Sequence, residues 1–121
     1  MLCVWNVSST NNDKKNSRKN AKGKNDIMKI YISGKITGTT DYIQRFERAE
    51  KALSKYVVIN PAKVNAQLPI ETTWEEYMQM SMTMLKMCNA IYMLKGWEDS
   101  KGARLEYNYA VENNYKIIFE K

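Results

Sequence analysis

Ala90-Ile91-Tyr92-Met93-Leu94, followed by Gly96-Trp97-Glu98-Asp99-Ser100-Lys101-Gly102-Ala103-Arg104-Leu105-Glu106, decides how this chain folds. The first five residues are a short apolar run of buried-strand type. The stretch from Lys101 onward has helical spacing, so small and polar residues form a strand-to-helix loop between them. In open α/β folds ligands gather outside the carboxyl ends of the strands. A helix start adds free N–H groups and the positive end of a dipole. Glu106 lies four residues after Gly102, on the same face of the expected helix. A glycine there leaves the approach to the carboxylate open. The stretch reads as a ligand loop with a working acid.

The same alternation extends in both directions. Lys29-Ile30-Tyr31-Ile32-Ser33 reads as a first strand, followed by a turn, Gly34-Lys35-Ile36-Thr37-Gly38. Tyr42, Phe46, Ala49 and Leu53 fall at helical spacing in a helix over about 41–55, with Asp41 as N-cap and Gln44 three residues on. Tyr56-Val57-Val58-Ile59 is a second strand, ended by Asn60-Pro61, and a loop holding Pro61 and Pro69 follows. Thr73-Trp74-Glu75-Glu76 is a capping-box pattern that opens a helix over about 74–88. The third strand spans about 90–94, the next helix about 101–114, and Lys116-Ile117-Ile118-Phe119 is the fourth strand. Strand–helix–strand order repeated three times implies a parallel sheet with right-handed crossovers and helices on both faces. Strand order 2-1-3-4 makes the loops after strands one and three neighbours at the switch point, where a ligand belongs.

Composition limits the chemistry. The 121 residues suit one folded domain. Residues 1–27 hold six Lys or Arg and two Asp, and so carry most of the formal charge of +6. Residues 6–26 are rich in Asn, Ser and Lys, which predicts a disordered basic tail. Met28 then opens the strand pattern, as if the tail were an upstream extension; a basic arm for RNA or an acidic partner is the rival reading. The folded part, 28–121, carries no strong nucleic-acid signature. There is no histidine, which removes Ser/His and Cys/His nucleophile systems and His-based metal sites. The two cysteines, Cys3 and Cys88, suit reduced thiols better than a disulfide. No apolar run approaches the roughly 20 residues of a membrane span. A cytoplasmic protein with no membrane partner is expected.

Acid–base work must then fall to Asp, Glu, Tyr, Lys or water. Glu106 is the first candidate; a solvated helix carboxylate is the plainer alternative. Its register places it with Gly102 beneath the loop, while Ala103, Ala110 and Val111 face the sheet. Tyr31, mid-strand, is either core with its hydroxyl paired or a residue that holds a carboxylate. Gly34 and Gly38 suit a tight turn, though their spacing fits neither a P-loop nor a dinucleotide fingerprint. Ser33, Lys35 and Ser100 have the chemistry to hold a phosphate, and equally that of ordinary loop polar groups. Asn89 opens strand three, either as a cap or as a ligand contact. Met78, Met80, Met82, Met84 and Met87 crowd one helix as core or subunit interface. A nucleobase pocket built from Trp74 and Met78 is the sharper alternative. Trp97 is a lid, a stacking residue or an interface residue.

Ile30-Tyr31-Ile32-Ser33-Gly34 and Asp99-Ser100-Lys101-Gly102-Ala103-Arg104-Leu105-Glu106 together resemble the nucleoside 2-deoxyribosyltransferase-like superfamily. The pattern Leu-x-Gly-Trp-x-x-Ser-x-Gly-Ala, from Leu94 to Ala103, is similar to that of short bacterial and phage members. The resemblance covers about 28–121. It implies a flavodoxin-like Rossmann three-layer sandwich, homo-oligomers with sites near subunit interfaces, and cleavage of N-glycosidic bonds without cofactor or metal. It puts the nucleophile on Glu106, the residue that orients it on Tyr31, and the first ligand loop on Ser33 and Gly34. Asn89 stands where an Asp is common in such proteins, and Asp99 is the nearest loop acid. The expected function is cleavage or transfer on nucleosides, deoxynucleosides or their 5′-monophosphates. Ser33, Gly34, Lys35, Asn89, Asp99, Ser100 and Gly102 would bind the substrate. The alternative is a non-catalytic nucleotide-binding module, a sensor or sponge.

Overall fold

A computed structural model describes residues 27–121. The basic tail and Cys3 lie outside the described residues. Four strands form one parallel sheet in the order β2-β1-β3-β4: β1 is Lys29–Ser33, β2 Val57–Ile59, β3 Ala90–Met93 and β4 Lys116–Phe119. Tyr31 pairs with Ile59 on one side and Ile91 on the other, which fixes the register. The crossovers carry α1 (Tyr42–Ala52), a short α2 (Pro61–Asn65), α3 (Trp74–Lys86) and α4 (Lys101–Glu112). A 3₁₀ turn, Trp97–Asp99, precedes α4.

Alternation along β1 splits the core in two. Ile30 and Ile32 pack with Phe46 and Ala49 of α1, Leu53 at its C-cap, Ala62 of α2, and Ala90 and Leu94. Tyr31, Ile91 and Met93 face the other way, against Met84, Leu85 and Cys88 at α3 and Ala103 and Ala110 of α4. Each fully buried Ile or Leu contributes roughly 1.5–3 kcal/mol. Both faces are therefore covered, as parallel sheets require.

Helix starts show which local signals act. The capping box of α3 forms in full: Glu76 N–H donates to Thr73 Oγ1 at 3.1 Å, and Thr73 N–H to Glu76 Oε1 at 2.8 Å. Asp41 takes the N-cap position of α1 but makes no side-chain cap. Its carboxylate is drawn to the Arg45 guanidinium, 3.2 Å away, so the expected partnership with Gln44 does not arise. The sequence read as loop after Asn60-Pro61 holds the helix α2. Asn60 Oδ1 caps it by accepting from Ala62 N–H, and Pro61 occupies a first-turn position where no N–H is needed. On α4 the inward stripe is Ala103, Glu106 and Ala110. Val111, expected to face the sheet, is 47% exposed, because it lies about 100° around the helix from Ala110.

Candidate functional site

A cleft of about 200 Å³ opens at the carboxyl ends of β1 and β3. Tyr31 reaches it from the α3/α4 face of β1, Ser33 lies two positions on along the same face behind the lining, and Glu106 approaches from the second turn of α4. Tyr31 Oη donates to Glu106 Oε2 at 2.7 Å, and Ser33 Oγ donates to Glu106 Oε1 at 2.6 Å. Both bonds span more than seventy residues of chain, so only the parallel register brings these groups together. Tyr31 is at once core and donor: its ring is buried and its hydroxyl is spent on the carboxylate.

Burial sets the electrostatics. Glu106 is 5% exposed. Loss of water pushes its pKa from 4.5 up to about 7, while the Ser33 and Tyr31 hydrogen bonds pull the other way by stabilising the charged form. The Tyr31 phenol is held well above its usual value of 10.0, first by burial and then by the Glu106 charge. It therefore stays a proton donor to the carboxylate. The Ser81 hydroxyl of α3 opposes this shift by hydrogen bonding to the phenol. Cys88 lies outside the cleft lining, with its thiol pushed up to about 11 by burial, so it remains protonated.

Two glycines permit close approach. A Cβ on Gly34 would sit 2.7 Å from Leu94 Cδ1 and 2.9 Å from Leu94 Cβ, so only glycine lets the first loop cross the end of β3. A Cβ on Gly102 would sit 3.0 Å from Met78 Sδ. The space above Gly102 is thus occupied by the Met78 thioether, which packs one turn before Glu106.

Not every expected site residue reaches the cleft. Gly34, Ser100, Gly102, Tyr31 and Glu106 line it. Ser33 touches it through Glu106. Lys35 does not line it; its backbone carbonyl accepts from Arg45 Nη2 at 2.7 Å. Ser100 Oγ is engaged as the cap of α4, accepting from Ala103 N–H at 3.1 Å. Asp99 lies in the 3₁₀ turn, exposed and outside the lining. Asn89 is at the opposite end of the sheet, because it precedes β3 and parallel strands put their starts on one edge. There Asn89 Oδ1 accepts from Lys29 N–H, and its Nδ2 donates to the Ile27 carbonyl. Trp97 stacks on Tyr107, ring centroids 4.7 Å apart, beside Phe119 and away from the cleft lining.

Trp74 and Met78, the sharper alternative for a pocket in the sequence, do line the cleft, and the other lining residues went unforeseen. Trp74, Tyr77, Met78 and Ser81 form one stripe of α3 at i, i+3, i+4 and i+7, and all four line the cleft. A serine inside an otherwise apolar stripe was the available signal. Tyr42 and Phe46 of α1, Pro61 and Asn65 of α2, and Thr37 complete the walls together with Ile32, Ile36 and Ala103. Lys101 Nζ sits 4.8 Å from the Trp74 ring centroid, bridging the starts of α3 and α4 at the rim. Of the described residues in the lining, Glu106 alone carries a charge.

No curated protein matches the sequence. Among solved structures, a 2-deoxyribosyltransferase from the psychrotolerant bacterium Bacillus psychrosaccharolyticus is similar in fold, with a TM-score of 0.60 at 13% identity. The match covers 75% of this chain and 70% of that protein. No helix among the described residues is long and apolar enough to cross a membrane. Residues 28–119 match the family described as Domain of unknown function (DUF4406), so the chain belongs to that family, and it has the nucleoside 2-deoxyribosyltransferase-like fold.

Proposed function

We propose that this protein breaks the N-glycosidic bond of a neutral nucleoside or deoxynucleoside, with Glu106 as nucleophile. The observation that carries this reading is the buried Glu106 carboxylate, held by two side-chain hydroxyls at the floor of a mostly apolar cleft. An acid so placed is oriented, shielded from water and open to a ligand on one side. The sugar settles on the floor with its anomeric carbon facing Glu106, and the base lies between the walls made by Trp74, Met78 and Phe46.

A Glu106 oxygen then forms an ester bond to C1′ as the C1′–N bond breaks through an oxocarbenium-like state. The base leaves with the bonding electron pair and takes a proton from solvent. A second base, or water, attacks C1′ and releases the Glu106 carboxylate, which gives transfer or hydrolysis. Tyr31 and Ser33 are positioning residues. They hold both oxygens and keep the acid ionisable near neutral pH. A neutral substrate is favoured over a 5′-monophosphate: Ser33 is bonded to Glu106, Ser100 caps a helix and Lys35 is outside the lining.

One observation favours a second reading, a binding module without turnover. No second acid lines the cleft among the described residues, so no side-chain carboxylic acid stands ready to protonate the leaving base. Incubation with a panel of 2′-deoxynucleosides, followed by chromatography for free base, separates the two. Free base from the wild type and none from Glu106→Gln supports the enzyme. Calorimetric binding of the same compounds without product selects the module. The absence of both overturns the proposal. A small cleft open at one side also fits completion by a second copy of the chain, which analytical ultracentrifugation tests.

A further inference from the structure

Asn65 ends α2 and lines the cleft, and its Oδ1 is buried with no donor among the described residues. It is the one buried side-chain nitrogen or oxygen of the described residues in that condition. Such an atom gives up its hydrogen bond to water and gains nothing, a loss that folded proteins seldom tolerate without a reason. Nor is the position loose. Asn60 Nδ2 and Lys63 Nζ both donate to Glu50 Oε1 of α1, each at 3.0 Å, so α2 is fastened at its first turn. The Asn60 and Lys63 contacts hold the Glu50 carboxyl below its usual value, as expected of a carboxylate used as an anchor. Asn65 is thus delivered to the cleft by a braced helix, with its acceptor unspent.

Beside Asn65 the walls offer a base the hydroxyls of Thr37, Tyr42, Tyr77 and Ser81, besides the Ser100 hydroxyl that caps α4. Trp74, Met78, Phe46 and Pro61 present mainly ring or aliphatic surface, and among the described residues Asn65 supplies the only side-chain amide in the lining. An amide offers an acceptor beside a donor. It pairs with an edge that presents an N–H beside an acceptor, the geometry by which Asn recognises adenine. We infer that Asn65 is the base-reading residue of this cleft, its Oδ1 accepting an N–H from the ligand. This rests on the nucleoside reading above and adds a requirement to it: the base must carry a donor on the edge that faces α2.

The test compares 2′-deoxyadenosine with purine 2′-deoxyriboside, which differs by loss of the exocyclic amine. Both are titrated calorimetrically into the Glu106→Gln protein and assayed for turnover in the wild type. The expected preference for deoxyadenosine is about tenfold to a hundredfold in Kd or KM. Asn65→Leu and Asn65→Ala both reduce that preference to within about twofold, with KM moving more than kcat. Their thermal midpoints stay at or above that of the wild type, because an unpaired polar atom is removed. An unchanged preference in both variants, or a fall of several degrees in both midpoints, overturns the inference and leaves Glu106 untouched. A wild type that neither binds nor cleaves any nucleoside overturns the underlying reading instead.

Discussion

At the amino edge of the sheet Asn89 spends its amide on backbone, holding Lys29 N–H and the Ile27 carbonyl so that β1 and β3 start in register. At the carboxyl edge the Glu106 carboxylate has no backbone partner among the described residues. Its bonds come from the hydroxyls of Tyr31 and Ser33, and the space beside it is a cleft. Both are polar residues next to parallel strands, and both drew attention in the sequence. A side chain whose hydrogen bonds go to the main chain is a fastener. One held by other side chains beside open space is available for chemistry. Parallel strands separate the two roles, because starts and ends lie on opposite edges.

The contrast can be broken most sharply at Glu106. Glu106→Gln keeps the shape and removes the nucleophile, so turnover should fall by at least roughly a thousandfold, about 4 kcal/mol of barrier. Chromatographic release of free base measures it. A wild-type rate in that variant breaks the assignment of chemistry to the carboxyl edge.

The next effect is on stability against pH. The folded-state pKa of Glu106, about 7, lies above its ordinary 4.5. Its contribution is therefore full below about pH 4.5 and is lost as pH rises through about 7, because the folded protein must then bury a charge. The shift amounts to roughly 3 kcal/mol. Denaturant unfolding at pH 5 and pH 8 should show the wild type weakening relative to Glu106→Gln. Over the same range kcat/KM should rise with pH and level off above about 7, as the carboxylate forms.

Tyr31→Phe removes one donor from the carboxylate at a cost of about 1–3 kcal/mol. Since that donor stabilises the charged form, the acid limb of the pH–rate profile should move to higher pH. Asn89→Ala should cost about 1 kcal/mol of stability in thermal melts, leaving turnover per folded molecule within about twofold. Loss of turnover there would erase the distinction between the two edges. The smallest change is at the rim. Lys101→Ala removes a cation over Trp74 worth about 0.5–1 kcal/mol, and should shift the melting midpoint by only a few degrees.

Much of this was legible along the chain because the signals are local. The alternation in Lys29–Ser33, the Thr73–Glu76 capping box and the strand-to-helix stretch before Glu106 each rest on residues a few positions apart. They suffice for the element order and for a parallel sheet with β1 at its centre. Asn60-Pro61 was the local signal that was misread. It marks the start of α2, since a capping side chain followed by a residue lacking N–H opens a helix as readily as it closes a strand. Asp41 shows the limit of such rules: a competing cation four residues away captured its carboxylate.

The sequence by itself determined the kinds of groups present, their order and the end of the sheet at which each loop must emerge. Only the tertiary structure decided which of them meet. Glu106 lies on the sheet-facing stripe of α4, and its pKa follows from water excluded by residues distant in sequence. The pairing of Tyr31 and Ser33 with that acid depends on a register spanning more than seventy residues. The dismissal of Lys35 and Asp99 from the cleft, and the stranded amide of Asn65, likewise depend on how elements pack. Backbone preferences act over a few residues, whereas burial and partnership belong to the packed whole.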